Sequence, residues 1–311
     1  MFDAVRQGLG RVAAAPGLLA LLWLVNVLIA LPAAVLVEET IHDSVKWSLA
    51  NDSLREGFDT GWYGEFTAGA EGLSATLEPS QIGVGASLDA LEAWWSGGLF
   101  KVPAGIVALG VVFALAWLFL MGGVLSRLHR PWDRWRVGDL LAAGGEYFPR
   151  FLRLGLLSAI LYYGIFRLSA WLFPWIKRAT RDVTTETAVL GYNLLAGLLI
   201  VGLLVVVKMI FDYAKISMVV SQRRSALSAA FHGVGFVASR PLKTGGLVAT
   251  FGTLTVILLV LYAWLAPGAG QSSPAAILLA IAVSQLFLVL RLAVRIGLLG
   301  SELALFADQT R

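Results

Sequence analysis

The chain has 311 residues, of which 58% are hydrophobic and only 14% charged, with a mean hydropathy of +0.78. Soluble domains average about 25% charged residues, so this balance excludes a water-soluble fold and places the chain in a membrane. Cysteine is absent, which excludes disulfides, thiolate nucleophiles and cysteine metal sites, and the net charge of +4 conceals a strong asymmetry along the chain.

The first element is a short amphipathic helix over 2–13, with Phe2, Val5, Leu9 and Val12 at helical spacing. An apolar run over 17–37 follows. A helix needs about 20 apolar residues to cross a hydrocarbon core of about 30 Å, and this run of about 21 is long enough. Arg6 and Arg11 precede it as in a signal peptide, but its apolar length exceeds the 7–15 residues of an h-region, so an uncleaved first span is expected.

Segment 38–100 carries eleven acids (among them Glu38, Asp43, Glu65 and Glu92) against Lys46 and Arg55, a net −9. It reads as an acidic outer loop with room for two or three helices and with irregular, Gly- and Ser-rich stretches capping a bundle. The second span covers 102–125 and is preceded by Trp94 and Trp95. Segment 126–153 then holds Arg127, Arg130, Arg134, Arg136, Arg150 and Arg153, interleaved with Trp132 and Trp135. Arginine beside tryptophan can stack nucleic-acid bases. Next to a span, Arg127, Arg130, Trp132, Arg134, Trp135 and Arg136 fit lipid headgroup contact instead, and no nucleic-acid partner is expected. Within this segment, 137–151 repeats the amphipathic pattern through Val137, Leu140, Leu141, Phe148 and Phe151.

Further spans fall at 154–175, 187–210, 245–266 and 275–297, and a third amphipathic helix at 224–239 carries Leu227, Phe231, Val234, Val237 and Ala238. Segment 211–243 is basic. The positive-inside rule therefore puts both termini, 126–153 and 211–243 in the cytoplasm, and 38–100, 176–186 and 267–274 outside. Trp171, Trp175 and Trp264 sit where an outer aromatic belt is expected. The fold expected is all-α: one polytopic integral membrane domain over 1–311, with about six transmembrane helices, three inner interfacial helices and one acidic outer loop.

Gly8-Leu9-Gly10-Arg11-Val12-Ala13 parallels Gly233-Val234-Gly235-Phe236-Val237-Ala238, with Pro16 then matching Pro241. A hairpin repeat at about 1–125, 137–222 and 224–311 explains this, and so does chance similarity among glycine- and alanine-rich helices.

The chain offers no metal or cofactor motif, and its three histidines are far apart. The candidate site residues are charges in or near the membrane. Arg167 lies deep in the third span, and a central arginine costs about 2.5–3.5 kcal/mol unless partnered. Asn193, Glu186 and Asp182 in the facing span, and Trp171 one turn on, are its candidate partners. At the inner end Lys208, Asp212 and Lys215 are spaced by four and three on one helix face. Arg291, Arg295 and Glu302 are spaced by four and seven on the sixth span, so Asp212 is expected to bridge to Arg291 or Arg295. A structural clamp and snorkelling account for these groups better than a relay.

Phe211-Asp212-Tyr213-Ala214-Lys215, Arg223-Arg224-Ser225-Ala226-Leu227 and Ser301-Glu302-Leu303-Ala304-Leu305-Phe306, each in an interfacial-helix-then-span context, resemble a group of bacterial six-span membrane proteins. That group is similar to the membrane domain attached to some glycerophosphodiester phosphodiesterases. The chain contains no phosphodiesterase barrel, so the resemblance implies a membrane module and carries no catalytic residue. The function expected is a non-enzymatic scaffold or subunit of the bacterial inner membrane. It binds lipid, and a protein partner through the acidic loop or the inner interfacial helices. The alternative is a transporter component for a lipid or small solute.

Overall fold

The computed structural model describes residues 1–46, 59–71, 73–74, 104–130, 136–183, 185–266 and 273–308. These residues hold nine helices and no strand: α1 (Phe2–Ala13), α2 (Pro16–Lys46), α3 (Thr60–Gly69), α4 (Ala104–His129), α5 (Val137–Ala179), α6 (Glu186–Val220), α7 (Ala226–Ser239), α8 (Pro241–Leu265) and α9 (Pro274–Ala307). Six of them, α2, α4, α5, α6, α8 and α9, are long and apolar enough to cross a membrane. The chain is an all-α, multi-pass integral membrane protein.

Local chemistry sets the helix starts. Proline opens α2, α8 and α9, where its missing N–H costs nothing. Ser273 accepts from Ala276 N at 3.2 Å and Ser225 from Ser228 N at 3.4 Å, capping α9 and α7. Asp59 caps α3, accepting from Gly61 N at 2.8 Å and Trp62 N at 3.1 Å.

The core lies at one end of the bundle, the end that carries α1, the first turns of α5, α7 and the last turns of α9, called here the basal end. Leu120–Leu125 of α4, Phe211–Ala214 of α6 and Ile296–Phe306 of α9 are continuously buried. Tyr213, Phe236 and Phe306 pack ring against ring in its centre, tilted to one another with centroids 4.5 and 5.2 Å apart, tying α6, α7 and α9 together. Away from this end the spans present leucine, isoleucine and valine outward. Only 6–28% of each span's apolar window is buried inside the protein, so acyl chains are its solvent there.

Three close approaches of the same kind build the basal core. Gly8 of α1 lies where a Cβ meets Gly297 O at 2.6 Å on α9, and Gly144 of α5 where it meets Phe119 O at 2.9 Å on α4. Gly233 of α7 lies against Ile210 O and Ala214 N of α6. With little hydrophobic gain available between helices in lipid, small residues that let backbones meet supply the packing.

Several expectations are revised. Segment 137–151 is not a separate interfacial helix: it forms the first turns of the 43-residue α5, about 64 Å long. Pro149 removes one backbone bond at the junction, but packing of Gly144 and Tyr147 on α4 holds the axis together. The helix of the first span runs past residue 37: α2 continues to Lys46, so Glu38, Glu39 and Asp43 are helical. Of the helices expected in 38–100, α3 is described, with its Trp62 donating to Ser44 Oγ at 3.2 Å. Trp94, Trp95 and the other residues of 75–103 lie outside the described residues, as do Trp132, Arg134 and Trp135. On α7 the apolar residues divide: Ala229, Gly233, Phe236 and Val237 are buried, whereas Leu227, Phe231, Val234 and Ala238 form an exposed stripe.

Candidate functional site

The charged groups near the basal end collect around a cavity of about 280 Å³ between α4, α5, α6 and α9. Spacing of four and three places Lys208, Asp212 and Lys215 on one face of α6. Lys208 Nζ donates to Asp212 Oδ2 at 2.7 Å, and Lys215 Nζ donates to Oδ1 at 2.9 Å. Each carboxylate oxygen therefore serves one lysine. The Asp212 side chain is 8% exposed against 19% for Lys215 and 42% for Lys208, so Lys208 alone of the three turns much of its length to the cavity and its surroundings.

Arg295 enters from α9 and lies flat over the Trp117 ring of α4, 3.7 Å from its centroid. This is the cross-helix contact of the site, and it corrects the expected bridge from Asp212 to Arg291 or Arg295. Asp212 is already satisfied from its own helix, so the arginine takes the aromatic face instead. Tyr162 and Ser158 complete the wall from α5, with Ser158 Oγ donating to Gly155 O at 2.8 Å. Arg291, one turn before Arg295, is exposed and does not line the cavity.

The wall thus holds three cations, Lys208, Lys215 and Arg295, and one carboxylate. Glu302 lies one turn beyond the Leu298 and Leu299 that close the cavity on α9, within electrostatic reach of both lysines and Asp212. Its side chain is fully buried, and neither carboxylate oxygen has a hydrogen-bond partner among the described residues. The Tyr213 hydroxyl is buried in the same way.

Arg167 and Asn193 are placed elsewhere. Both are nearer the opposite end; Arg167 is exposed, and Asn193 Nδ2 donates to Val189 O of its own helix at 2.9 Å. Trp171 stacks on Trp175 at 6.1 Å. Arg127, Arg130 and Arg136 lie at the basal ends of α4 and α5, and Arg127 donates to Arg130 O at 3.3 Å. Arg11 of α1 donates to Gly300 O of α9 at 3.4 Å, and its half-buried position lowers its guanidinium below the usual arginine value.

Sequence reasoning found the α6 triad and Arg295 but missed Trp117, Tyr162 and Ser158. The available signal was position: Trp117 and Tyr162 sit inside spans, away from the belts where amphipathic rings normally stay. Among the described residues no cluster of histidine and carboxylate side chains gathers to hold a metal ion.

An excess of cationic donors beside an aromatic ring and a phenol suits an anion with several oxygens. Charge-assisted hydrogen bonds to such a group are shorter and about twice as strong as neutral ones. Lys208 and Arg295 lie 22 and 21 residues from the opposite ends of α6 and α9, roughly 30 Å along each axis. A bilayer's hydrocarbon core is about as thick, so with the opposite helix ends at one boundary both groups reach the other, where headgroup phosphates begin. Comparison of the chain with known protein families, with curated proteins and with solved structures gives no match.

Proposed function

We propose that this chain is a non-enzymatic integral protein of the bacterial inner membrane, a scaffold or subunit that binds anionic lipid and a protein partner. The observation that carries the reading is the cavity wall with three cations against one carboxylate, at headgroup depth. A lipid phosphate between Arg295 and Lys208 supplies the charge that the wall lacks, while its acyl chains run along the exposed apolar spans. In this reading the basal end is cytoplasmic and carries both termini, as the basic segments and the positive-inside rule require. The exposed stripes of α1 (Phe2, Leu9) and α7 (Leu227, Phe231, Val234) lie in the inner interface. The acidic segment 38–100 faces outward and attracts a basic partner. Resemblance to the membrane domain attached to some glycerophosphodiester phosphodiesterases fits a module that works beside another protein.

The experiment is extraction of the tagged chain from bacterial inner membrane into polymer-bounded native nanodiscs, with mass spectrometry of the lipids and proteins retained. The reading expects anionic lipid enriched over the bulk membrane and one stoichiometric protein partner. Retained lipid of bulk composition, with no partner, contradicts it.

A further inference from the structure

A second pocket of about 290 Å³ opens at the basal surface between the ends of α4 and α6 and the first turns of α5. It is separate from the cavity above and shares no lining residue with it. Its wall brings Ser126, His129 and Arg130 from α4 together with Glu146 and Tyr147 from α5 and Gln222 just past α6.

The hydrogen bonding leaves the pocket with a specific deficit. Gln222 Nε2 donates to the Tyr147 hydroxyl oxygen at 2.6 Å and to Val219 O at 2.9 Å. Tyr147 is only 4% exposed, and because its oxygen already accepts, its own O–H hydrogen needs an acceptor; none is present among the described residues. Arg150, whose guanidinium lies 5.3 Å from the Tyr147 ring centroid, has its Nη1 buried without a partner among the described residues. Its Nη2 is 3.9 Å from Glu146 Oε1, too long for a hydrogen bond.

The backbone tells the same story. Gln222 has φ 52°, a left-handed conformation and the single non-glycine instance among the described residues. A left-handed residue after a helix is an ordinary way to end it, and glycine does this without strain. Glutamine there costs about 1 kcal/mol, which its two side-chain bonds offset. The turn alone does not need those bonds. They fix the Tyr147 hydroxyl.

We propose that this pocket binds a phosphate group carrying a neighbouring hydroxyl, a polyol phosphate, at the basal surface. Arg130, the Tyr147 O–H and the Ser126 hydroxyl donate to the phosphate oxygens. Glu146 and Gln222 Oε1 accept from the ligand hydroxyl. The pocket has room for about nine waters at about 30 Å³ each, enough for glycerol phosphate. Such a group reaches this surface as a soluble phosphate or as the headgroup of a lipid.

The test uses the full chain in phosphatidylcholine nanodiscs. Soluble glycerol 3-phosphate and inorganic phosphate are titrated by calorimetry, and bound phosphatidylglycerol is counted by native mass spectrometry after doping the discs. Saturable binding of glycerol 3-phosphate, tighter than inorganic phosphate, supports the site with a soluble ligand. Because the deeper cavity also takes anionic lipid in the reading above, the headgroup arm is run in the Lys208→Gln, Arg295→Gln background, where specific retention of phosphatidylglycerol supports the site with a headgroup ligand. In either case Arg130→Gln weakens binding about tenfold and Tyr147→Phe about fivefold. Tyr147→Phe keeps the ring stack on Phe151, so it folds. Gln222→Gly keeps the turn and also weakens binding. No saturable binding of any probe, or wild-type affinity in folded Arg130→Gln and Tyr147→Phe, overturns the proposal.

Discussion

Asp212→Asn removes the one carboxylate in the wall of the deep cavity and leaves two lysines facing each other. Breaking a buried ion pair from one side costs about 3–5 kcal/mol, because the partner charge is stranded. Here Lys208 is 42% exposed and can turn away, while Lys215, at 19%, cannot do so easily. Discounting for that exposure leaves about 2–3 kcal/mol. For a chain of this size each kcal/mol moves the melting temperature by about 2–4 °C, so a fall of roughly 4–12 °C is expected in phosphatidylcholine nanodiscs. The sign of the lipid effect distinguishes this account from simple loss of an ion pair. An anionic phosphate that enters the cavity stabilises wild type as well, so the recovery equals the extra affinity that the unpaired lysines give the variant, about 1.4 kcal/mol for each tenfold. With a tenfold gain, phosphatidylglycerol nanodiscs return about half of the loss. Thermal unfolding of wild type and variant in both lipids, followed by fluorescence, reads the difference. A loss under about 1 °C, or an equal loss in both lipids, refutes the reasoning.

Other perturbations have defined outcomes. Gly123→Val forces a Cβ into the Leu140 backbone carbonyl and side chain across α4 and α5, so thermal scans should show loss of about 2 kcal/mol or failure to fold, whereas Gly110→Ala, with nothing within 4 Å, should be nearly silent. Gln285→Leu strands the Trp23 indole N–H that now donates to Gln285 Oε1 at 2.7 Å, and should cost about 1 kcal/mol in the same assay. His232 on α7 titrates below the usual histidine value because burial, and then the nearby Arg223, disfavour its charged form. The unfolded chain then binds more protons in mildly acidic solution. Stability is full above the unfolded value of about 6.5 and declines as pH falls through it toward the lower folded value. His232→Phe should flatten that acid limb in melting curves from pH 8 to 5.

How far the sequence reaches can be followed residue by residue. Spans of some 20 apolar residues are legible because hydrocarbon admits little else, and helices close every backbone bond internally. The Lys208, Asp212 and Lys215 face is legible because helical spacing alone decides it. The pairing of Arg295 with Trp117 is not legible, since it depends on how α4 and α9 cross, and a one-dimensional period holds no information about crossings. The fusion of 137–151 into α5 is hidden for a related reason. The amphipathic pattern is real, but whether it turns along the interface or continues into the span is set by glycine contacts on α4, and Pro149 read alone suggests a break. The exposed stripe of α7 was visible as an apolar face. That its opposite face is buried through Gly233 emerged only from packing against α6.

The central claim, an anionic lipid phosphate held by Lys208 and Arg295, is tested most directly by native mass spectrometry of delipidated protein titrated with phosphatidylglycerol and with phosphatidylcholine. The account predicts that wild type binds phosphatidylglycerol at least tenfold more tightly than phosphatidylcholine, and that the Lys208→Gln, Arg295→Gln double variant holds one phosphatidylglycerol fewer, with a weakened preference, while remaining folded. Equal affinity for the two lipids in wild type, or an undiminished preference in the double variant, contradicts it.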